Sequence, residues 1–279
     1  MTLGDSYRDV MRLRMFVHVC LSGLQNSLYA TRAIDVFKDS HDRYGILQEF
    51  SSEEYYKKAK KQAEEEEAFG REQESKGFTY LYALASIKLW SILEAMVDDL
   101  ALDGVQHPDR CGDPKLLTSL KGPLLEFLKS SDDERAEFLV GQLKQTLRAS
   151  THKGIGRFET ILSAVGLDGG VPEEVRRAIL ELAEVRNVIV HRRGIADGRF
   201  VSSCPWYGVG PGEELLVTDK HYRAYELGIL LYSLEIDLRL RHRDSFHPEM
   251  SSKVVELKGE LLDDLRKINI SGGEALPTD

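Results

Sequence analysis

The chain has 279 residues, 42% of them hydrophobic and 30% charged, and its formal net charge at pH 7 is −9. This composition is typical of a globular protein with one substantial core or two small ones, and it excludes a disordered chain. The negative charge argues against long-range attraction of nucleic acid, because an acidic surface repels a polyanion, so a phosphate site would have to be a local cluster of cations.

Neither a secretion signal nor a membrane span is predicted. Charged residues interrupt the first positions of the chain, where a signal peptide would be apolar. The apolar stretch at 229–232 is broken by Glu235 and Asp237 long before it could cross a bilayer. No metal and no cofactor is expected. The cysteines show no paired spacing, which fits a reducing cytoplasm: Cys20, Cys111 and Cys204.

Helical periodicity extends along nearly the whole chain, and strand patterns are few. The sequence Ser51-Ser52-Glu53-Glu54 predicts a capped start for a strongly charged helix. Residues 80–102 predict a dense apolar helix in the core, and a loop is expected at 104–114. The other predicted helices cover residues 5–30, 116–129, 133–149, 158–165, 172–193, 219–243 and 251–268.

A small insertion is predicted between the helices at 172–193 and 219–243. Asp197-Gly198 is a hairpin signal between two short apolar segments, and Gly210-Pro211-Gly212 predicts a second turn before 215–217. We expect small strands or loops that pack against the helices.

The helix at 172–193 carries the most informative residues of the chain. Its end reads Arg186-Asn187-Val188-Ile189-Val190-His191-Arg192-Arg193, and Gly194 then stops the helix. On a helical wheel, Arg186 lies at the edge of the buried stripe, and Asn187 and His191 share the flank beside it. An arginine offers a permanently charged fork of donors, and a histidine transfers protons near neutral pH. This set fits chemistry on a phosphate group.

A simpler interpretation of these residues stays open. Cations followed by glycine commonly end a helix, and an arginine beside a core often only pairs with a neighbour such as Glu181 or Glu184. Spacing alone favours this structural interpretation.

The run at 184–197 nevertheless resembles the signature of the HEPN superfamily. In that signature an arginine, commonly followed by a polar residue, precedes a histidine by four to six intervening residues near the end of a core helix. Gly194 and Asp197 also match a variant that is frequent in bacteria. The helices at 86–100 and 219–243 are similar in order and size to two helices of the four-helix HEPN scaffold. The resemblance covers about residues 76–243.

The resemblance implies an all-α fold, a helical bundle of the HEPN type with extra N-terminal helices and a small β-hairpin or loop insertion. We expect an N-terminal helical extension at 1–75, a HEPN-like helical domain at 76–270 and a flexible tail at 271–279.

The resemblance also implies a metal-independent endoribonuclease. The ribose 2′-hydroxyl attacks the adjacent phosphorus and leaves a 2′,3′-cyclic phosphate and a free 5′-hydroxyl. His191 would transfer protons, Arg186 would stabilise the negative charge of the transition state, and Asn187 would orient the imidazole or a phosphate oxygen. One imidazole cannot easily serve as base and acid on opposite sides of the phosphorus. A homodimer with two motif helices across a shared cleft is therefore expected.

Three further residues are candidates for the substrate site. Arg192 and Arg193 would hold flanking phosphates. Glu94 would hydrogen-bond Arg186 or His191 across the bundle, although a glutamate at such a position is more often a partly buried salt-bridge partner.

The expected function is thus an RNA-cleaving toxin or antiviral effector that an antitoxin or another regulatory protein restrains. Two alternatives stay open. One is a catalytically inert HEPN module that binds RNA or nucleotide or mediates assembly. The other is a helical adaptor that uses residues 1–75 as its interaction surface. The complete set of Arg186, Asn187 and His191 favours the nuclease, and the negative net charge favours the inert module.

Overall fold

Helices make up most of this all-α chain. The computed structural model describes residues 3–107, 120–122, 124–243 and 248–269. The helices in these ranges are α1 (Leu3–Ser27), α2 (Ala30–Tyr44), α3 (Glu53–Ser75), α4 (Thr79–Gln106), α5 (Leu124–Lys129), α6 (Asp132–Thr146), α7 (Ile155–Ser163), α8 (Glu173–Arg192), α9 (Gly198–Ser203), α10 (Asp219–Arg243) and α11 (Pro248–Asn269).

Three long helices, α4, α8 and α10, form the centre of the bundle. Each contributes side chains that are almost completely buried: Leu89, Leu93, Ile179, Leu182, Tyr225 and Tyr232. Burial of large apolar side chains of this kind is the main stabilising contribution to such a fold. The helices α1, α7 and α11 pack around this centre.

The direction of the three central helices is fixed by their contacts. Tyr82 lies beside Tyr222, and further along both helices Ser233 Oγ donates to Met96 Sδ at 3.3 Å, so α4 and α10 run parallel. Tyr225 of α10 contacts Glu181 of α8, and the next turn of α10 contacts the preceding turn of α8, so these two helices are antiparallel. The C-terminal end of α8 and the N-terminal ends of α4 and α10 therefore lie together, at what we call the motif end of the bundle.

The N-terminal helices are attached to this bundle through α1. Val10 and Val17 of α1 are buried in the core that α4 and α10 build. The helices α2 and α3 pack against each other, and Asp35 accepts hydrogen bonds from Tyr56 Oη at 2.9 Å and Lys60 Nζ at 2.8 Å. The helix α2 is not predicted from the sequence, and none of its side chains is buried.

The predicted helix starts and ends agree with the structure in several places. Ser52 caps α3, where its hydroxyl accepts from the N–H of Tyr55 at 3.3 Å, as predicted. Of the helix predicted at 116–129, residues 124–129 are helical and 120–122 are not, while 116–119 lie outside the described residues. The tail at 271–279 also lies outside them.

The β-hairpin predicted at Asp197-Gly198 is wrong. The Asp197 carboxylate accepts from the N–H of Phe200 at 2.9 Å and begins the short helix α9. Aspartate followed by glycine suits a hairpin turn, but aspartate is equally a strong helix N-cap, and here the cap forms. The described chain contains no strand, only one isolated antiparallel bridge between Ile195 and Glu214. The turn predicted at 210–212 is present, so the insertion is a loop with one short helix.

The helix α4 is also long and apolar enough to cross a membrane by length and composition. Half of the most apolar 18-residue stretch of α4 is buried inside the fold. A helix in the core of a protein has the same length and composition.

Candidate functional site

The motif, by which we mean Arg186, Asn187 and His191, lies at the C-terminal end of α8. Glu173 and Glu174 place negative charge in the first turn of this helix, at the positive end of its dipole. The predicted range 172–193 includes Pro172 in the first turn of the helix. In the structure, Pro172 is the residue just before α8 begins. Valine and leucine side chains at helical spacing then bury one face of α8 against α4 and α10, and the motif lies at the margin of that face.

The helix ends through left-handed backbone at two consecutive residues. The sequence predicts a stop at Gly194, but positive φ begins one residue earlier, at Arg193 with φ +55°, and continues at Gly194 with φ +78°. The N–H groups of both residues point to the carbonyl oxygen of Val188, which satisfies a carbonyl that the helix leaves free. Arg193 therefore leaves the helical path at this point and its side chain is exposed.

The structure brings the three motif side chains together. The Arg186 guanidinium donates through Nη1 to Nε2 of His191 at 3.3 Å and to Oδ1 of Asn187 at 3.4 Å. Arg186 and Asn187 are half-buried, whereas His191 is exposed. Because Arg186 can only donate, Nε2 of His191 is the acceptor in this contact. The site thus presents an imidazole and a guanidinium side by side at the surface.

The predicted phosphate contacts are placed beside the motif, and one of them already has an acidic neighbour. Arg192 Nε lies 3.4 Å from the Asp197 carboxylate, which offsets part of its charge. Arg199, in the short helix α9 that follows, reaches the buried carboxylate of Glu184 at 4.0 Å. Arg193 is exposed at the helix end. A positive patch remains here, but it is weaker than the count of arginines suggests.

The predicted contact of Glu94 with the motif is wrong. Its carboxylate pairs with Arg157 Nη1 of α7 at 3.2 Å. The reason is its position, because Glu94 lies about 18 Å along the helix axis from Tyr82, which marks the motif end of α4. The structural alternative, a partly buried salt bridge, is what forms.

A buried polar cluster next to the motif was not predicted. We call it the Glu181 cluster, and its members are Arg177, Glu181, Trp206, Tyr207, His221 and Tyr225. The Glu181 carboxylate accepts from Tyr225 Oη at 2.7 Å and from Trp206 Nε1. The Arg177 guanidinium lies over the Trp206 ring, 4.3 Å from its centre. Burial raises the pKa of Glu181.

The same cluster contains a histidine that does not titrate near neutral pH. The His221 ring stacks on Tyr207 with centroids 4.5 Å apart, and its Nδ1 accepts from the N–H of Thr218 at 3.2 Å. Burial, with a smaller contribution from Lys220, lowers the pKa of His221 to about 4. The cluster therefore holds the 198–217 loop against α8 and α10 beside the motif. Trp206 and Tyr207, two adjacent aromatic residues in the segment between α8 and α10, were the signal for it in the sequence.

Neither the arrangement of possible metal ligands nor the comparison with known proteins identifies a function for this site. Within the described ranges, no group of three or more His, Cys, Asp or Glu side chains is placed to hold a metal ion. Comparisons with protein-family models, curated proteins and solved structures gave no match for this chain. Its function is therefore inferred from its own side chains.

Proposed function

We propose that this protein is a metal-independent endoribonuclease of the HEPN type, whose active site is shared by two copies of the chain. The observation that carries this proposal is the 3.3 Å contact between Arg186 Nη1 and His191 Nε2, with Asn187 beside it. A charged donor, a proton-transfer group and an orienting amide meet at an accessible helix end. These are the groups that a phosphoryl transfer without metal requires.

His191 acts on the nucleophile. A phosphate oxygen that takes over the Arg186 donor releases Nε2, which then accepts the proton of the ribose 2′-hydroxyl. The 2′-oxygen forms a bond to phosphorus, and the bond from phosphorus to the 5′-oxygen breaks. The leaving 5′-oxygen takes a proton from His191 of the second copy, which enters the reaction in its protonated form on the opposite side of the phosphorus and leaves it neutral. The products are a 2′,3′-cyclic phosphate and a 5′-hydroxyl.

Arg186 stabilises the transition state. The phosphorane carries more negative charge than the substrate, and a half-buried guanidinium acts on it with less screening than one in open solvent. Asn187 fixes the guanidinium through its amide oxygen. Arg192 and Arg193 hold flanking phosphates of the RNA, which suits a chain whose overall charge of −9 gives no general attraction.

The biological setting that fits such an enzyme is a cytoplasmic toxin or antiviral effector. A ribonuclease without a metal requirement is active as soon as it folds and dimerises. A regulatory partner or antitoxin would therefore hold it inactive until it is needed.

The test is RNA cleavage in excess EDTA, with the fragment ends mapped. We expect cyclic-phosphate ends from the wild type, and a loss of about 10²- to 10⁴-fold in rate for His191→Ala and Arg186→Ala. Matched controls are His152→Ala and Arg12→Ala, whose side chains are exposed and lie outside α8, and both should cleave at the wild-type rate. Wild-type rates for His191→Ala, or complete inhibition by EDTA, would contradict the proposal.

A second candidate function is favoured by the ion pairs around the motif. Arg192 and Arg199 each lie near a carboxylate, and the whole chain is acidic, so the surface is suited to selective binding as well as to cleavage. An inert HEPN module that binds RNA or nucleotide, or mediates assembly, would retain RNA in a mobility-shift experiment and leave it intact. The same EDTA experiment therefore separates the two candidates.

A further inference from the structure

A small pocket lies at the motif end of the bundle, between α1, α4 and α10. Its volume is about 160 Å³, which is room for more than one water molecule. Tyr82, Tyr222 and Glu226 line its inner part, and Arg14 and Arg223 line it from α1 and α10. None of these residues belongs to the motif.

The inner wall of the pocket contains two polar atoms without a hydrogen-bond partner in the described part of the chain. They are Tyr222 Oη and Glu226 Oε1. Tyr222 is 3% exposed and Glu226 5% exposed, so both side chains are nearly completely buried. Burying a hydroxyl and a carboxylate oxygen without hydrogen bonds costs stability, and such atoms in a folded protein call for an explanation. A ligand that supplies N–H groups would satisfy both.

The outer part of the pocket has the opposite charge. Arg14 has a side chain that is 61% exposed, and its Nε lies 3.8 Å from the unsatisfied Glu226 oxygen, too far for a hydrogen bond. Arg223 is exposed on the other side. Asp219, also at the pocket, is engaged by the Tyr82 hydroxyl. The pocket therefore has the Glu226 carboxylate as an acceptor at its buried inner wall and the two arginine cations at its exposed outer part.

We propose that this pocket binds a small zwitterion of amino-acid size, with its ammonium group on Glu226 and Tyr222 and its carboxylate on Arg14 and Arg223. The ammonium donates to Glu226 Oε1 and to the phenol oxygen of Tyr222. The carboxylate takes the exposed guanidinium donors, which suit it geometrically.

Charge complementarity argues against a simple ion as the occupant. A cation alone would satisfy Glu226 but would lie next to two arginines, and an anion alone would meet a buried carboxylate. Burial raises the pKa of Glu226, and the nearby charges of Arg14 and Arg223 offset only part of this shift. The volume is below that of pockets for drug-sized ligands, so the ligand has few atoms.

The experiment is isothermal titration calorimetry of the full chain with glycine, β-alanine and 4-aminobutyrate as probes. Butylamine carries only the ammonium group of 4-aminobutyrate, and butyrate carries only its carboxylate. We expect saturable binding of at least one zwitterion, and binding of butylamine and butyrate at least about tenfold weaker, since each makes only half of the contacts. No heat of binding from all three zwitterions up to about 10 mM, the weak range expected for so few contacts, would overturn the proposal.

Two variants locate the binding. Glu226→Gln keeps the size of the side chain and removes its charge, and we expect at least about tenfold weaker binding. Tyr222→Phe removes the unsatisfied hydroxyl, so the melting temperature of the ligand-free protein should rise while the shift produced by the zwitterion shrinks. Glu54→Gln, at an exposed position of α3, is the control and should bind as the wild type does. Unchanged affinity in Glu226→Gln would also overturn the proposal.

Discussion

At the scale of single residues, two polar side chains of the same helix have opposite roles. Glu181 and His191 both lie on α8, but Glu181 is buried among Trp206 and Tyr225, whereas His191 is exposed at the helix end. Burial turns the first into a structural group whose ionisation is costly, and exposure leaves the second accessible to a ligand. Helical spacing alone does not separate these roles, because the burial of Glu181 depends on its contact with Trp206, 25 residues further along the chain.

Glu181 makes the stability of the protein depend on pH. Burial raises its pKa in the folded chain above the ordinary value of 4.5, so the folded chain holds this proton more tightly than the unfolded chain. The free energy of unfolding therefore falls as the pH rises above about 4.5, until the folded carboxyl ionises. Glu181→Gln keeps the shape and an acceptor for Trp206 but does not titrate. We expect its stability relative to the wild type to increase as the pH rises over this range.

Urea unfolding between pH 4.5 and 8 measures this difference. Subtracting the wild-type curve removes the contributions that both proteins share, including that of His221. Glu54→Gln, at an exposed position, serves as the control and should follow the wild-type curve. A Glu181→Gln curve that runs parallel to the wild type would show that the buried carboxyl does not titrate differently in the two states.

At the scale of elements, the sequence predicts the long helices well and the short ones poorly. Apolar periodicity is strong in α4, α8 and α10 because they pack on several neighbours, and their predicted ranges agree with the structure to within a few residues. The helix α2 was not predicted, since it has no buried residue and so no apolar stripe to reveal it. The cap at Asp197 was misjudged because the choice between turn and helix depends on what the following segment packs against.

The candidate site could be predicted in part for the same reason. Arg186, Asn187 and His191 come together because they are neighbours on one helix end, and local geometry is enough to place them. Glu94 lies on another helix, and its level relative to the motif depends on the packing of the whole bundle. The Glu181 cluster joins α8, α10 and the loop at 198–217, so its assembly is a property of the tertiary fold.

The close packing of α8 on α10 depends on Gly228. A Cβ atom added there would lie 3.0 Å from Cβ of Ala178. We expect Gly228→Val to destabilise the protein by roughly 1–3 kcal/mol, because the added methyl groups force the two helices apart. Gly259 in α11 is the matched control, since a Cβ there meets no atom within 4 Å. Gly259→Ala should instead stabilise by about 0.5–1 kcal/mol through helix propensity. Thermal unfolding measures the change in stability for both substitutions. Equal changes in stability would show that α8 and α10 are not tightly packed.

At the scale of the whole molecule, the dimer that we propose would cover exposed apolar side chains around the motif. Val190, Ile195 and Leu216 are each more than two-fifths exposed, and they surround the motif end of α8 and its loop. A two-fold dimer that joins two motifs would cover these side chains and would place the second histidine across the phosphorus.

A shared site predicts how activity depends on the mixing of subunits. We expect light scattering to show dimers, and an equal mixture of wild type and His191→Ala, after subunit exchange, to contain about one quarter wild-type dimers. If both histidines are needed in one dimer, this mixture has about one quarter of the activity of the same total amount of wild type. Independent sites would instead give about one half. Mixing with His152→Ala should leave the activity unchanged, and co-purification of differently tagged subunits verifies that exchange took place. An activity of one half after verified exchange would mean that each chain carries a complete site, and that the acid for the leaving group comes from a group other than the second His191.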